Sequence, residues 1–540
     1  MTYMTGIRPP DLGLPTRFTD YRPAQIEMIE RTMQSHHRFV AHAAPTGIGK
    51  SVALVSAALY MGLRTVILTS TKGLQNQYLT DFRDCGLVNC MGRNNFQCVT
   101  RPGTTCEEGA LCKCHHTIGQ QSATSLCPYK SQWATALASP LVCTNYAYWC
   151  TGQRFAKALG HVDMLILDEG HDAPNEISNQ MTITISEREL AMLDASWPVI
   201  TVSIPCWREW ATPYAITAAA RAESLYNAQR LDQQSIRIMA AWRNLAAKLS
   251  TMAGMRGAWV VEPYVGKRTN ADTGYKLQAV WPYTHAEEVL FLGVSKIVIA
   301  SATLSRKTLQ LMGIRSQDVD YYEYPSEFPP ERSPVYSIPT VAMNHKSPDE
   351  DFRKLVERVD EIIDGRLDRK GVIHGVSYQR ARDIANLSRH RGLMITHSTG
   401  ETKEAVEVFQ QAPAPAILVS PSVDTGYDFA FSQCEFQIIC KAPYPGMADP
   451  VQQVRREQDW LYPAYEMVMT LVQSAGRGMR AATDRCETFL IDDTITKVFD
   501  RNINLWPKWF RRLVRKSAVV PLPPPPLADE LPNEFSDLVR

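Results

Sequence analysis

The octapeptide Ala44-Pro45-Thr46-Gly47-Ile48-Gly49-Lys50-Ser51 constrains this chain more than any other stretch. An apolar run, residues 39–44, enters it, and an apolar helical run, residues 52–59, leaves it. Strand, glycine-bearing loop and helix in that order make a loop whose backbone N–H groups close round a polyphosphate at a helix N-terminus. In such a loop Pro45, Thr46, Gly47, Ile48 and Gly49 cradle the phosphates, Lys50 reaches the β- and γ-phosphates of ATP, and the Ser51 hydroxyl holds Mg²⁺. The strict pattern begins with glycine, and this chain has Ala44 there.

A second feature answers the first. Met164-Leu165-Ile166-Leu167 is a continuous apolar run, the pattern of a central parallel strand, and it delivers Asp168-Glu169-Gly170-His171. Downstream of a phosphate loop, such an acidic pair has a defined task. Asp168 binds Mg²⁺, directly or through water, and Glu169 polarises the attacking water. Two more buried strands are expected at residues 65–69 and 296–300. The first leads into Ser70-Thr71-Lys72-Gly73-Leu74-Gln75, where the hydroxyl of Thr71, the ammonium of Lys72 and the amide of Gln75 suit a phosphodiester backbone. The second leads into Ser301-Ala302-Thr303-Leu304, whose short hydroxyl side chains can link the nucleotide site to a bound strand. Ahead of the loop, in Tyr21-Arg22-Pro23-Ala24-Gln25, the amide of Gln25 can bond both edges of an adenine, with Phe18 or Tyr21 stacked on the ring.

Length and composition set the frame for these motifs. With 540 residues, 45% of them hydrophobic, the chain can bury three or four domain-sized cores. Its net charge of +1 means that a nucleic-acid partner must be held by a local groove rather than by bulk charge. Pro9, Pro10, Asp11 and Asp20 interrupt any secretory leader, and no run of about 18 apolar residues is present, so the chain reads as cytoplasmic. Nine of its 13 cysteines lie between Cys85 and Cys150, which in a reducing compartment argues for metal rather than disulfides. Cys98, Cys106, Cys112, Cys114 and Cys127 are the candidates, with His115 and His116 beside them. Four thiolates hold an iron–sulfur cluster or a zinc ion, so one of the five is spare.

From Ser186 to about Gly254 the composition turns rich in Ala, Leu and Gln. Ser186 and Glu189 form a capping box, and a long helical pattern follows over residues 216–252. This segment reads as a helical insertion without catalytic groups. The second half repeats the α/β rhythm without a second phosphate loop, with strands expected at residues 371–375, 393–396, 416–420, 436–440 and 488–491. In Gln473-Ser474-Ala475-Gly476-Arg477-Gly478-Met479-Arg480, two arginines three apart share one helix face and can reach a γ-phosphate as arginine fingers. The polar loop Ser420 to Asp428, with Ser422, can touch both a nucleic-acid backbone and a nucleotide. Arg511, Arg512, Arg515 and Lys516 read as a solvated basic helix, and the proline-rich residues 521–540 as a flexible tail.

In this order the blocks resemble the superfamily 2 helicases of the XPD/DinG group, especially its shorter phage-type members, over about residues 15–515. The resemblance implies two RecA-like domains clamping Mg-ATP, with single-stranded DNA running across both, and ATP-driven 5′→3′ unwinding at duplex/single-strand junctions. It divides the chain into a first RecA-like domain in three parts (residues 1–84, 151–185 and 257–335), an iron–sulfur insertion (85–150), a helical arch (186–256), a second RecA-like domain (336–520) and the tail. Carried over residue by residue, Arg22 and Gln25 look like the adenine-side motif. Lys50 and Ser51 match the phosphate and Mg²⁺ positions. Asp168, Glu169 and His171 match the DEAH-type box, with Gly170 where alanine is more usual. Gly426 and Asp428 match the loop before the last motif, although Asp424-Thr425 departs from the commoner order. Gln473, Arg477 and Arg480 match the last motif.

Residues 92–98, ending in Cys98, resemble the entry to the family's first cluster ligand, and Cys127-Pro128-Tyr129 resembles the last. Cys106 with Cys112, or Cys112 with Cys114, completes the set, and the family pattern favours a four-iron four-sulfur cluster over zinc. A monomer is expected, because one chain carries both walls of the ATP site, and a host cytoplasm if the chain is phage-encoded. Two rival readings keep the ATP site: a DNA translocase that remodels without unwinding, and an ATP-gated scaffold in a nucleoprotein complex. Replication, repair and recombination all accommodate these activities.

Overall fold

Strands buried on both faces form where apolar runs are bounded by turn residues. The computed structural model describes residues 6–99, 103–107, 127–227, 233–266, 273–344, 346–375, 377–423, 427, 429, 431–446, 448–479 and 484–523. Its first ten strands are β1 (Phe39–Ala43), β2 (Thr65–Thr69), β3 (Leu87–Asn89), β4 (Leu141–Asn145), β5 (Met164–Asp168), β6 (Thr182–Ser186), β7 (Trp259–Val265), β8 (Thr273–Ala279), β9 (Lys296–Ser301) and β10 (Val319–Glu323). Seven of them form one sheet in the order β10-β1-β9-β5-β2-β4-β3. Every residue of β1, β2, β5 and β9 is buried, as in sheets covered by helices on both faces. The strands from β9 to β3 pair in parallel. Parallel strands send their C-terminal ends to one edge, so the loops after β9, β5 and β2 emerge together.

Two expected boundaries move. β3 and β4 belong to this sheet, so the cysteine-rich insertion lies between Asn89 and Leu141 rather than over residues 85–150. The helical insertion stands on a three-stranded antiparallel sheet, β6-β8-β7, that the motif reading does not contain. β7 and β8 each carry one charged residue, Glu262 and Lys276, which face each other in a 2.9 Å ion pair. The single helix expected over residues 216–252 is two helices, Ile204–Asn227 and Gln233–Ala253, packed along each other. Pro213 sits inside the first, where a proline usually ends a helix, and this hides its opening turns from a periodicity reading. The Ser186–Glu189 capping box is present as expected.

The second sheet comprises β11 (Val335–Val341), β12 (Lys370–His374), β13 (Met394–Ile395), β14 (Ala416–Ser420), β15 (Phe436–Ile439), β16 (Glu487–Asp492) and β17 (Val514–Lys516), in the order β13-β14-β12-β15-β16-β11-β17. All six pairings are parallel. The expected basic helix ends at Arg511, and Arg515 and Lys516 lie instead on the edge strand β17. Charged side chains on an edge strand discourage pairing with another chain.

By contacts the chain divides into two compact units, one of residues up to 42, 51–322 and 446–460, the other of residues 43–50, 323–445 and 461 onward. The helix Pro450–Gln458 therefore belongs with the first unit although its sequence neighbours belong to the second. Buried Arg455 explains this attachment. Its guanidinium donates to Val280 O at 2.6 Å and Ser178 Oγ at 3.1 Å, and Trp281 Nε1 donates to Gln458 Oε1 at 2.6 Å. Among the described residues no helix is long and apolar enough to cross a membrane.

One ion pair is wholly buried in the second unit. Arg366 donates from Nε and Nη2 to the two carboxylate oxygens of Glu487 at 2.7 and 2.8 Å, and lies over the Phe489 ring. Removing one partner leaves the other charge buried and unpaired, so Glu487→Ala is expected to lower stability by about 3–5 kcal/mol. Replacing both with apolar residues of similar volume is expected to cost far less. Denaturant midpoints of the single and double variants check both statements.

Candidate ATP site and nucleic-acid interface

Fully buried β1 hands the chain to Ala44, and the helix Lys50–Met61 begins directly after the loop. Gly47 and Gly49 hold φ of +88° and +80°, the left-handed region in which glycine is favoured. The Phe328 ring lies against Gly47, where a Cβ would come within 2.1 Å of it. Pro45 and Thr46 line one small cavity with Phe328, Gly476, Met479 and Phe510. The residues flanking Arg477 thus lie beside the nucleotide loop within the second unit.

In the first unit, Asp168 ends β5 at 2% exposure. Its Oδ2 accepts from the Tyr78 hydroxyl at 2.8 Å and its Oδ1 from Glu169 N at 3.0 Å. The Ser51 side chain lies close to the same hydroxyl. Ser51 and Asp168, the two expected Mg²⁺ positions, therefore both lie beside one phenol. Burial, reinforced by the charge of Asp168, pushes the Tyr78 pKa well up and keeps that phenol a neutral donor. Tyr78 was not among the expected site residues; nothing in an apolar helix position marks it as polar machinery.

Glu169 takes φ of +49°, a strained setting for a residue with a Cβ. Gly170 has a steric reason. A Cβ there would stand 2.4 Å from Ile299 Cγ2 and 3.1 Å from Leu167 O, so alanine does not fit without a shift of β9. His171 closes the box. Its Nδ1 bonds Ser301 Oγ at 2.7 Å and lies 3.3 Å from Glu169 Oε2, and its Nε2 lies 3.2 Å from Asp172 Oδ1. Burial opposes charge on His171, but Asp172 and Glu169 more than offset it and push the imidazole up to about 10. Ser301 donates in turn to Glu169 Oε2 at 3.3 Å, so the loops after β5 and β9 form one network.

The other expected residues divide. Gln25 is buried, and its Oε1 accepts from Arg22 N at 2.9 Å as the helix Pro23–Gln34 starts. Thr71 caps the helix Lys72–Phe82 by accepting from Leu74 N, and it and Lys72 are exposed at that helix's start. Gln75 is corrected: its side chain is fully buried, bonded to Asn89 Oδ1 and Cys90 O, and is not presented to a strand. Ser422 Oγ bonds Thr402 Oγ1 at 2.9 Å at the end of β14. Gln473 ends the helix Tyr462–Ala475, whereas Arg477 stands in the 3-10 turn Gly476–Gly478, so the helical face expected for two arginines does not extend to it. A Cβ on Gly478 would meet Cys486 Sγ at 2.4 Å, which fixes glycine in that turn. Arg477 Nη1 donates to Tyr427 O at 3.1 Å. Gly426, Asp428 and Arg480 lie outside the described residues.

Cys98, Cys106 and Cys127 are all buried. Cys98 N and Cys106 N bond Thr104 O and Phe96 O, which folds their segment back on itself. Cys106 and Cys127 pack with Tyr129, and Phe96 and Tyr148 lie against them. Cys112 and Cys114 lie outside the described residues. Among the described residues no group of three or more His, Cys, Asp or Glu side chains is arranged to hold a metal ion.

Two outcomes follow from this geometry. Tyr78→Phe removes the hydroxyl that holds Asp168 and is expected to raise the Mg²⁺ concentration needed for half-maximal ATP hydrolysis, read from a magnesium titration. His171, raised from 6.5 to about 10, contributes stability that is complete below pH 6.5 and is lost as pH rises through 10. His171→Gln is expected to flatten the dependence of the thermal midpoint on pH across that window.

Two families match the chain: the DEAD/DEAH box helicase over residues 22–200 and the helicase C-terminal domain over residues 367–512. No curated protein matches it. Among solved structures, one described as an XPD helicase is 14% identical with a TM-score of 0.59, and S. tokodaii Xpd4 is 12% identical with a TM-score of 0.55. Both alignments cover 92% of this chain and 100% of the other. At these identities the likeness establishes the shared fold, while the two matched families and the ordered motifs establish the class. The chain is a superfamily 2 ATP-dependent helicase of the DEAD/DEAH type, built on two RecA-like domains in the fold of the XPD helicases.

Proposed function

We propose that this helicase translocates on single-stranded DNA with 5′→3′ polarity and parts duplex DNA at a junction. The observation that carries its ATP chemistry is the carboxylate of Asp168, buried at the end of β5 and held there by Tyr78 and Glu169 N. Lys50 neutralises the β- and γ-phosphates, Glu169 takes the proton of the attacking water, and Arg477 and Arg480 stabilise charge on the transferred phosphoryl group. Gln25 and Arg22 hold the adenine side, with Gln473, Gly426 and Asp428 completing the nucleotide contacts. Thr71, Lys72 and Ser422 grip the strand backbone. Repeated closing on ATP and opening after hydrolysis, against a gripped strand, gives stepping.

This reading includes a four-iron four-sulfur cluster on Cys98 and Cys127, with Cys106 and Cys112 or Cys112 and Cys114 completing the set; the burial of Cys98, Cys106 and Cys127 supports it. The cluster would stiffen the insertion between β3 and β4 that meets the duplex. Zinc needs the same four thiolates, and metal analysis separates the two.

Lys50→Ala is expected to abolish DNA-stimulated ATP hydrolysis, and Glu169→Gln to retain ATP binding without turnover. A strand-displacement assay on 5′-tailed and 3′-tailed duplexes checks polarity. Displacement from 3′ tails alone overturns the polarity, and ATP-dependent movement on single strands with no displacement leaves a translocase that does not unwind. Iron analysis of protein purified without oxygen is expected to find about four irons per chain, lost in Cys98→Ser or Cys127→Ser.

A further inference from the structure

In the second unit the chain passes from β14, on one side of β12, to β15 on the other. A reversal of this kind opens a crevice beyond the C-terminal ends of the strands, and such crevices bind ligands in parallel sheets. Here the crevice is a cavity of about 380 Å³ bordered by His374, Lys441, Tyr444, Glu466, Thr470 and Ser474. That volume falls at the lower end of the roughly 300–1,000 Å³ typical of small-ligand sites. None of the sequence motifs includes Lys441 or Tyr444.

The cavity is built rigidly. Gln437 Nε2 donates to Ala475 O at 2.7 Å and to Thr488 Oγ1 at 2.9 Å, which leaves Oε1 to accept from His374 Nε2 at 3.2 Å. The His374 ring is thereby oriented from below. Tyr444 stands between Pro443 and Pro445, whose rings fix their own φ, and it remains 41% exposed. Ala442 N donates to Asp492 Oδ2 at 2.8 Å, and Asp492 Oδ1 accepts from Thr494 N at 2.8 Å, so the loop bearing Tyr444 is tied to the end of β16. Glu466, Thr470 and Ser474 recur every four residues and form one face of the helix Tyr462–Ala475.

The side-chain chemistry selects the ligand. A site for phosphate alone gathers cations and backbone N–H groups. This cavity instead sets one ammonium, one carboxylate and an exposed aromatic ring around a nucleotide-sized space. We propose that it takes a single nucleotide of the bound strand, with the base stacked on Tyr444, its phosphate on Lys441 and its donor edge toward Glu466. This assignment rests on the strand-binding reading above and adds a base-reading position to it. The wall helix carries Gln473 and leads into the turn of Arg477, so an occupied cavity braces the segment that bears the last motif.

The test uses the full chain and oligodeoxynucleotides carrying one 2-aminopurine at successive positions. The wild type is expected to quench the probe at one position. Tyr444→Ala is expected to abolish that quenching and weaken binding about tenfold, while Tyr444→Trp keeps both. Lys441→Ala is expected to reduce the salt dependence of binding by about one ion. Glu466→Gln is expected to bring the affinities for oligo-dC and oligo-dT closer together. If Tyr444→Ala binds and quenches as the wild type does, the cavity assignment is overturned and the strand-binding reading stands. If the wild type binds no single strand, DNA or RNA, both fall.

Discussion

A carboxylate buried at the end of an apolar strand is the constraint around which the first unit is arranged. Desolvating Asp168 costs several kcal/mol unless hydrogen bonds replace the lost water. Tyr78 and Glu169 N supply those bonds. One phenol thus ties β5 to the helix capped by Thr71. Tyr78 lies about two turns along that helix from Thr71 and Lys72. A group that displaces Lys72 therefore acts on a short rigid element whose other end is bonded to the acidic box.

The same compression appears around Glu169 and His171. The strained φ of Glu169 is tolerated because Gly170 lets β5 and β9 approach and because Gly170 N bonds Ala300 O at 3.0 Å. That bond brings Ser301 within reach of His171 and Glu169. The glycine that departs from the family pattern is thus a packing requirement of this particular strand pair, where Ile299 occupies the space a methyl group would need.

These relations explain what could be read in advance. The strands β1, β2, β5, β9 and β14 were legible because strands buried on both faces are continuous apolar runs, and the run before Asp168 was enough to set that carboxylate at a strand end. Tyr78 was not legible: its neighbours, Ser51 and Asp168, are distant in sequence, and an aromatic residue on an apolar helix face looks like core. Gln75 misled for the opposite reason. Its position in a polar loop pattern resembled a strand contact, yet the turn into the helix Lys72–Phe82 points it inward to Asn89 and Cys90. The antiparallel sheet β6-β8-β7 went unread because β6 is separated from β7 and β8 by the two long helices, and β7 and β8 interrupt their apolar pattern with Glu262, Pro263 and Lys276.

The domain built on the second sheet shows how a parallel sheet can do without a phosphate loop of its own. Its parallel sheet still gathers strand ends at one edge, but charge is handled differently: Arg366 and Glu487 neutralise each other in the core, and the edge keeps a near-balanced set of side chains. A chain with a net charge of +1 has little long-range field with which to collect a polyanion. Binding must then come from discrete contacts, with shape and stacking carrying more of the free energy than counterion release. A rigid loop that exposes Tyr444 between two prolines meets that demand, because its ordering entropy is already spent when the protein folds.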